Sequence, residues 1–123
     1  GADLVGAYTI SSAPDRNEKT MNDATRAFTE RCQADFGLNP EPWSFYAYDS
    51  VFVIADAIER AGSTEKEAVI AALRETEMDG ICMEEFHSSF DEKGRLAEPI
   101  TFVWQCTAAG EFSQIEKISA KYE

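Results

Sequence analysis

An α/β fold is predicted by two features of the amino-acid sequence. Three stretches repeat apolar side chains at the helical period of about 3.6 residues, and the longest covers residues 45–62. Short runs of strand-forming residues lie near both ends of the chain, separated by turns that contain Gly or Pro. We therefore expect one domain of 123 residues with three helices and three or four short strands.

Residues 45–62 are the stretch around which the rest of the chain is organised. The four polar residues of this stretch share one narrow stripe of a helix: Asp49, Asp56, Glu59 and Arg60. Nearly everything else is apolar, so the helix is expected to be covered over most of its circumference. Gly62 is expected to end it in the left-handed conformation, and Asp49 to lie near the positive end of the helix dipole.

Two shorter helices are predicted, one on each side of this long helix. Asn17 can cap the first helix, and Gly37 is expected to end it. Its apolar face is predicted to comprise Met21, Ala24, Thr25, Phe28, Cys32 and Phe36. Thr64 and Glu67 have the spacing of a capping box, so a further helix is expected over residues 68–73. Because the turn before it is short, this helix should form a hairpin with the long one.

Strands are predicted on both sides of the helical part. They are expected in three segments, namely residues 4–10, 81–86 and 100–106. Residues 90–95 have the composition of a turn, with Gly94 at the position that requires positive φ. A second turn at Gly110 leads into the closing segment.

The charge balance excludes two classes of partner. There are 23 acidic residues and 11 basic ones, which gives a net charge of −12. Nucleic acid and anionic lipid both require a positive surface, so we expect neither as a partner. Solvated acidic faces commonly account for such a balance, so it is no evidence for a cationic ligand. The chain opens on Gly1 rather than Met, from which we expect that an upstream piece has been removed.

The residue types that usually carry catalysis are not arranged for it. His87 is the single histidine, and its neighbours Glu84 and Glu85 would alternate between the two faces of an extended segment. No serine lies in a G-x-S-x-G turn, and no Gly-rich phosphate loop occurs. We therefore expect no metal, no cofactor and no enzymatic activity.

Three cysteines are too few for a disulfide scaffold, and their spacing fits no zinc site. Cys82 and Cys106 both fall in predicted strands and could form a disulfide if those strands paired in register. Nothing in the sequence sets that register, so the pairing stays open.

Aromatic residues crowd the start of the long helix. They are Trp43, Phe45, Tyr46 and Tyr48. Rings with polar tips at a helix N-terminus either seal the end of a buried helix or form the wall of a ligand cleft. Packing suffices to explain at least two of the four, and composition alone favours packing. In the alternative interpretation, one or two of the rings contact a small amphipathic ligand.

A family resemblance rests on four pieces of sequence. Residues 48–63 read YDSVFVIADAIERAGS and resemble the YDA…ADAIERAGS helix of the periplasmic type I solute-binding proteins, the Leu/Ile/Val-binding family that serves ABC importers. Three further pieces match in the same order. They are the helix at residues 68–73, the turn FDEKGR, which is similar to the family's FDEKGD, and the strand FVWQ with Gly110 and Phe112. Four matches in register are specific for the family, though not for a ligand.

The resemblance implies that the chain is the C-terminal third of a protein whose two α/β lobes clamp a ligand between them. Within the single domain of residues 1–123, residues 1–12 would be a crossover strand and residues 13–89 the helical part of the N-terminal lobe. Residues 90–123 would then hold the third crossover and the closing strands.

The resemblance also implies which residues would meet a ligand. The family's contacts to the ligand's carboxylate and amino group lie in segments upstream of this chain. Its apolar ring contact lies just before the Tyr-Asp helix, where Trp43 is the best match, with Phe45 and Tyr46 as second choices.

The implied function is that of an extracytoplasmic solute-binding component of an ABC importer. Its ligand would be an amino acid of the branched-chain type or a similar small carboxylate, and its partners would be the importer's membrane subunits. The alternative is a stand-alone interaction or assembly domain that has lost ligand binding. With most of the parent's sheet absent, residues 4–10 and 100–106 would have open edges, so we expect a homodimer with exchanged elements.

Overall fold

Three helices and five strands make up the regular structure of the computed structural model, which describes residues 2–17 and 19–119. The helices are α1 (Asp23–Phe36), α2 (Pro42–Ala61) and α3 (Lys66–Arg74). The strands are β1 (Tyr8–Ser11), β2 (Met78–Asp79), β3 (His87–Ser88), β4 (Ile100–Ala108) and β5 (Glu111–Ser119), and a 3-10 turn covers Ala2–Leu4. The predicted α/β class with three helices is confirmed, but β4 and β5 are long strands of nine residues each.

The larger sheet is antiparallel, with the strand order β1-β4-β5. Tyr8 pairs with Gln105 on one side of β4, and Cys106 pairs with Phe112 on the other. Gly110, at φ 85°, allows the tight turn that folds β5 back along β4. The prediction of an open edge at residues 100–106 is therefore wrong, because β4 is central and the edges belong to β1 and β5. The second sheet is the short β2–β3 pair.

The predicted end of α1 is confirmed, but its predicted start is wrong. Gly37 ends the helix at φ 68° and donates its N–H to the Gln33 carbonyl. The N-cap is Asn22, whose side-chain oxygen accepts the N–H of Thr25 at 2.8 Å. Asn17 instead closes a local turn, in which its side chain accepts the N–H of Lys19. Asparagine bonds readily to nearby backbone groups, and this local turn competes with helix capping.

The helical hairpin of α2 and α3 is confirmed, with Ala57 and Ala72 buried. Gly62 ends α2 in the left-handed conformation, as predicted. The capping box of Thr64 and Glu67 does not form, because α3 begins after Glu65 without a side-chain cap.

The strand predicted at residues 81–86 is wrong. Residues 80–86 form a loop that connects β2 to β3, and the pairing lies outside it, at Met78 with Ser88 and Asp79 with His87. Cys82 therefore lies in a loop rather than beside Cys106 in a sheet. Both cysteines are buried and free, which answers the open disulfide question.

The core lies where α2, the 80–86 loop and β4 meet. Its buried members are Phe45, Cys82, Met83, Phe86 and Phe102. Further along α2, Val53 and Ala57 are buried, whereas Val51 is 63% exposed and Ile54 is 48% exposed. The expectation that α2 is covered over most of its circumference is therefore wrong for this chain. On α1 the predicted apolar face is also incomplete, because Phe36 is exposed.

Candidate functional site

The first turn of α2 carries the three residues that the resemblance connects with ligand binding. Glu41 is extended at the N-cap position and Pro42 follows at the first helical position. Proline suits this position, since its φ is preset and its missing N–H would have no partner within the helix. The helix consequently begins earlier than predicted, and Trp43, Phe45 and Tyr46 all lie within its first turns.

Trp43 and Tyr46 lie side by side at this helix start. They are three residues apart, the spacing that places side chains on neighbouring positions of a helix face. Their ring centroids are 5.7 Å apart with an interplanar angle of 31°. Trp43 is 64% exposed, a large apolar surface to leave in water. The pair is therefore a candidate wall for an apolar group.

Tyr46 is fixed from two sides. Its hydroxyl donates a hydrogen bond to the Ser12 carbonyl, and its ring packs edge-on against Phe86 at 5.0 Å. Burial, followed by the nearby charge of Glu85, raises the pKa of Tyr46 well above its ordinary value, so the hydroxyl stays a donor. The ring that supports Trp43 is accordingly rigid.

Phe45 lies in the core rather than beside Trp43. It is 2% exposed and meets Phe28 of α1 edge-on, with ring centroids 5.8 Å apart. Of the three ligand-binding candidates, the structure therefore brings Trp43 and Tyr46 together at the surface and places Phe45 behind them.

Arg16 and Glu85 form an ion pair that sequence patterns did not indicate. Arg16 is 5% exposed at its side chain, and its Nη1 donates to the Glu85 carboxylate at 2.8 Å. Burial alone would raise the pKa of Glu85, but the hydrogen bonds from Arg16 outweigh it, and the pKa lies below its ordinary value. Sixty-nine positions separate the partners, so no local spacing could have identified them.

A cleft of about 570 Å³ lies beside the start of α2. Its walls include Ser11, Arg16, Met21, Pro42, Phe45 and Trp104. Trp43 is not among its lining residues, so the exposed ring pair and this cleft are separate features of the same end of the molecule.

Cys82 and His87 are two further titratable groups with shifted pKa values. Burial, with the nearby Asp49 charge, raises the pKa of the Cys82 thiol to about 11, which keeps it protonated and unreactive. His87 lies between Asp79 and Glu77, each 2.7 Å from a ring nitrogen. Across residues 2–17 and 19–119, no cluster of His, Cys, Asp or Glu could hold a metal ion, and no helix is long and apolar enough to cross a membrane.

A model of the periplasmic binding protein family matches residues 1–111 of the sequence. The chain belongs to this family. The resemblance seen in the sequence is thereby confirmed.

Related periplasmic binding proteins are considerably longer than this chain. The Leu/Ile/Val-binding protein homolog 1 of two Brucella abortus strains is 27% identical over 118 residues, which cover 94% of this chain and 30% of the relative. The Brucella suis homolog is 29% identical over 85 residues. The chain therefore spans about a third of the length of the relatives it matches.

Two solved periplasmic binding protein structures share the fold. The leucine-binding protein LivK of Thermotoga maritima superposes with a TM-score of 0.63 at 23% identity, over 96% of this chain and 32% of that one. A periplasmic binding protein of Burkholderia mallei gives a TM-score of 0.70 at 18% identity, over 95% of this chain and 31% of that one. The proteins named in these comparisons are binding proteins rather than enzymes.

Proposed function

We propose that this chain is the C-terminal third of an extracytoplasmic solute-binding component of an ABC importer. The ligand of the whole protein would be an amino acid of the branched-chain type or a similar small carboxylate, held by closure of two lobes. Neither the chain nor the parent would be an enzyme. Residues 13–89 would belong to the N-terminal lobe, with crossovers near residues 1–12 and 90–123.

The observation that carries this proposal is the exposed ring of Trp43, supported from behind by Tyr46. An aromatic ring held at the start of a helix by a fixed neighbour offers a flat apolar surface at little entropic cost. An aliphatic side chain such as that of leucine matches this surface. Phe45 would contribute through the packing that holds the turn rather than by contact with the ligand.

The isolated chain should not bind an amino acid with useful affinity. One ring surface leaves the ammonium and carboxylate groups of the ligand in water without fixed partners, and the clamp requires a second lobe. Calorimetry of the isolated chain with leucine, valine and glutamate should therefore show no heat of binding. Micromolar affinity for any of them would contradict the two-lobe proposal.

The decisive experiment measures leucine affinity in the longer parent protein. Trp43→Ala should weaken binding about tenfold to a hundredfold, the range expected for losing a buried aromatic contact. Phe36→Ala is the matched control, since this ring is 72% exposed on a different helix and should leave affinity unchanged. Both variants should unfold at the wild-type denaturant concentration. Equal affinities of Trp43→Ala and wild type would remove Trp43 from the binding site.

A second candidate function is a stand-alone assembly domain that has lost ligand binding. It is favoured by the large apolar side chains that stay exposed at the two sheet edges and along α2. They include Tyr8, Ile10, Val51, Ile54, Ile115 and Ile118. The coding sequence upstream of Gly1 separates the two candidates, because strand–helix alternation long enough for a second lobe favours the binding protein, and an unrelated domain favours assembly.

A further inference from the structure

The hydroxyl group of Tyr46 joins the start of α2 to the end of β1. It donates its hydrogen bond to the Ser12 carbonyl, and 34 positions of the chain separate the two residues. Ser12 follows β1 directly, and β1 pairs with β4 in the larger sheet. One side-chain hydrogen bond therefore connects the first turns of a helix with a strand of the sheet.

A series of four aromatic rings runs from the surface into the core through Tyr46. The Tyr46 ring lies 5.7 Å from that of Trp43 and 5.0 Å from that of Phe86, measured between ring centroids. Phe86 in turn meets Phe102 of β4 edge-on at 6.0 Å. Trp43, at the outer end of the series, is mostly exposed, whereas Phe102 is buried. Tyr46 is thus the ring that connects Trp43 to the packed core.

The orientation of the Trp43 ring depends on this neighbour. Within residues 2–17 and 19–119, Tyr46 is the one aromatic ring that contacts Trp43. A side chain that is mostly in water keeps a single rotamer only where a neighbour restricts its dihedral angles. Tyr46 is itself held by the Phe86 ring and, at its hydroxyl, by Ser12. Removing the hydroxyl would keep the contact with Phe86 and release the phenol end of the ring.

Tyr48 provides a contrast on the same helix. Its ring lies between those of Phe28 and Phe52, at centroid distances of 4.8 and 4.9 Å. In the part of the chain that the structure describes, the Tyr48 hydroxyl makes no hydrogen bond. Replacing Tyr48 by Phe would therefore leave the described contacts in place, which makes it a matched control for the loss of a tyrosine hydroxyl.

We propose that Tyr46 is a positioning residue, whose hydrogen bond to Ser12 holds the Trp43 ring in the orientation that meets the ligand. The part of this inference that concerns affinity rests on the proposed function, whereas the part that concerns ring order rests on the described contacts alone. Under the proposed division of the chain, Ser12 ends the crossover at residues 1–12. The same bond would then connect the ligand-facing ring to a segment that runs between the two lobes.

Ring order is tested by NMR on the ¹⁵N-labelled chain of 123 residues. The chain has two tryptophans, so two indole signals are expected, and Trp43→Phe assigns them. The heteronuclear NOE of each indole N–H measures order on the picosecond-to-nanosecond timescale. Tyr46→Phe should lower this NOE at Trp43 and leave it unchanged at Trp104, which packs against the core. Tyr48→Phe should leave both values unchanged. A role of the hydroxyl in stability alone would leave the Trp43 value at its wild-type level.

Leucine affinity is tested in the longer parent protein with a double-mutant cycle. Tyr46→Phe should weaken binding about threefold to tenfold, the range that corresponds to one hydrogen bond, and Tyr48→Phe should leave it unchanged. In the Trp43→Ala background, Tyr46→Phe should weaken binding by less than about twofold, because the ring that it positions is gone. An equal loss with and without Trp43 would overturn the positioning role.

The two experiments separate this inference from the proposed function. If Trp43→Ala leaves leucine affinity unchanged, the proposed function fails, and the Trp43 NOE still decides whether Tyr46 orders the ring. If Trp43→Ala weakens binding but Tyr46→Phe changes neither the Trp43 NOE nor the affinity, only the inference about Tyr46 fails. If Tyr46→Phe does not fold, the wild-type chain decides. A Trp43 indole as ordered as the backbone of α2 supports the proposal, and one as mobile as an unrestrained side chain overturns it.

Discussion

Asp49, about two turns into α2, accepts a hydrogen bond from the backbone N–H of Cys82 at 2.9 Å. The same carboxylate accepts the N–H groups of Ile81 and Met83 at 3.1 and 3.0 Å. Three consecutive N–H groups that converge on one anion form the kind of nest that proteins use to bind phosphate or carboxylate ligands. In this protein a side chain of the same chain fills the nest, and it connects α2 to the 80–86 loop.

Asp49→Asn should destabilise the chain by about 2–3 kcal/mol, because the hydrogen bonds to a charged acceptor are lost and an amide N–H₂ now faces N–H donors. Urea unfolding, monitored by circular dichroism, measures the change. Asp56→Asn is the control on the same helix, since it removes only a partly exposed pair with Arg60 and should cost less than about 1 kcal/mol. Equal losses of unfolding free energy in the two variants would show that the three N–H groups around Asp49 stabilise the chain no more than the partly exposed pair of Asp56 and Arg60 does.

Gly80→Ala should destabilise the chain more than a substitution at a positive-φ glycine does. A Cβ built on Gly80 would lie 2.1 Å from the Met83 carbonyl oxygen, so the backbone of the loop would have to move. Gly62→Ala meets no atom within 4 Å and should cost only the strain of its left-handed conformation, about 1–2 kcal/mol. The urea unfolding midpoints of the two variants measure these costs. A smaller loss of stability for Gly80→Ala than for Gly62→Ala would contradict the close approach of Gly80 to the Met83 carbonyl.

The β2–β3 pair should be more stable at acidic than at alkaline pH. Hydrogen bonds to Asp79 and then Glu77 raise the pKa of His87 above its ordinary value. A folded-state pKa above the unfolded one stabilises the folded form fully below about pH 6.5, and this contribution disappears as pH rises through the folded pKa. Amide exchange of residues 78–88 should therefore accelerate towards pH 8 beyond its chemical trend.

His87→Gln provides the control for this pH effect. The variant should remove the extra pH dependence, and Glu77→Gln should reduce it while the Asp79 bond remains. If an NMR titration of the wild-type chain gives His87 a pKa at or below the ordinary histidine value, this mechanism is ruled out.

The isolated chain should form a homodimer in solution. β1 and β5 have unpaired edges, and α2 exposes Val51 and Ile54, which association would remove from water. Light scattering coupled to size exclusion should give twice the mass of the 13.7 kDa chain, and Val51→Lys should shift it towards the monomer if α2 lies in the interface. A monodisperse wild-type monomer with cooperative unfolding would mean that these faces are tolerated in water.

Features that depend on neighbouring residues were readable from the sequence. Gly37 and Gly62 end their helices, Gly94 and Gly110 adopt positive φ in turns, and the hairpin of α2 with α3 forms. The physical reason is that a left-handed glycine or a helical apolar face depends on a few adjacent positions. The family resemblance, carried by the segment that begins at Tyr48, was equally local.

Contacts between distant parts of the chain decided the rest. Asp49 reads as a helix-dipole residue until the loop 32 positions further on converges on it, and that loop replaces the strand expected there. Trp43 and Phe45 are equally aromatic in the sequence, yet one is exposed and the other is buried against Phe28. Periodicity and turn chemistry act over a few residues, so the sequence by itself determined the three helices and the glycines that end α1 and α2. Burial and long-range hydrogen bonds exist only once the elements have packed, and they determined the loop at residues 80–86 and which side chains stay exposed.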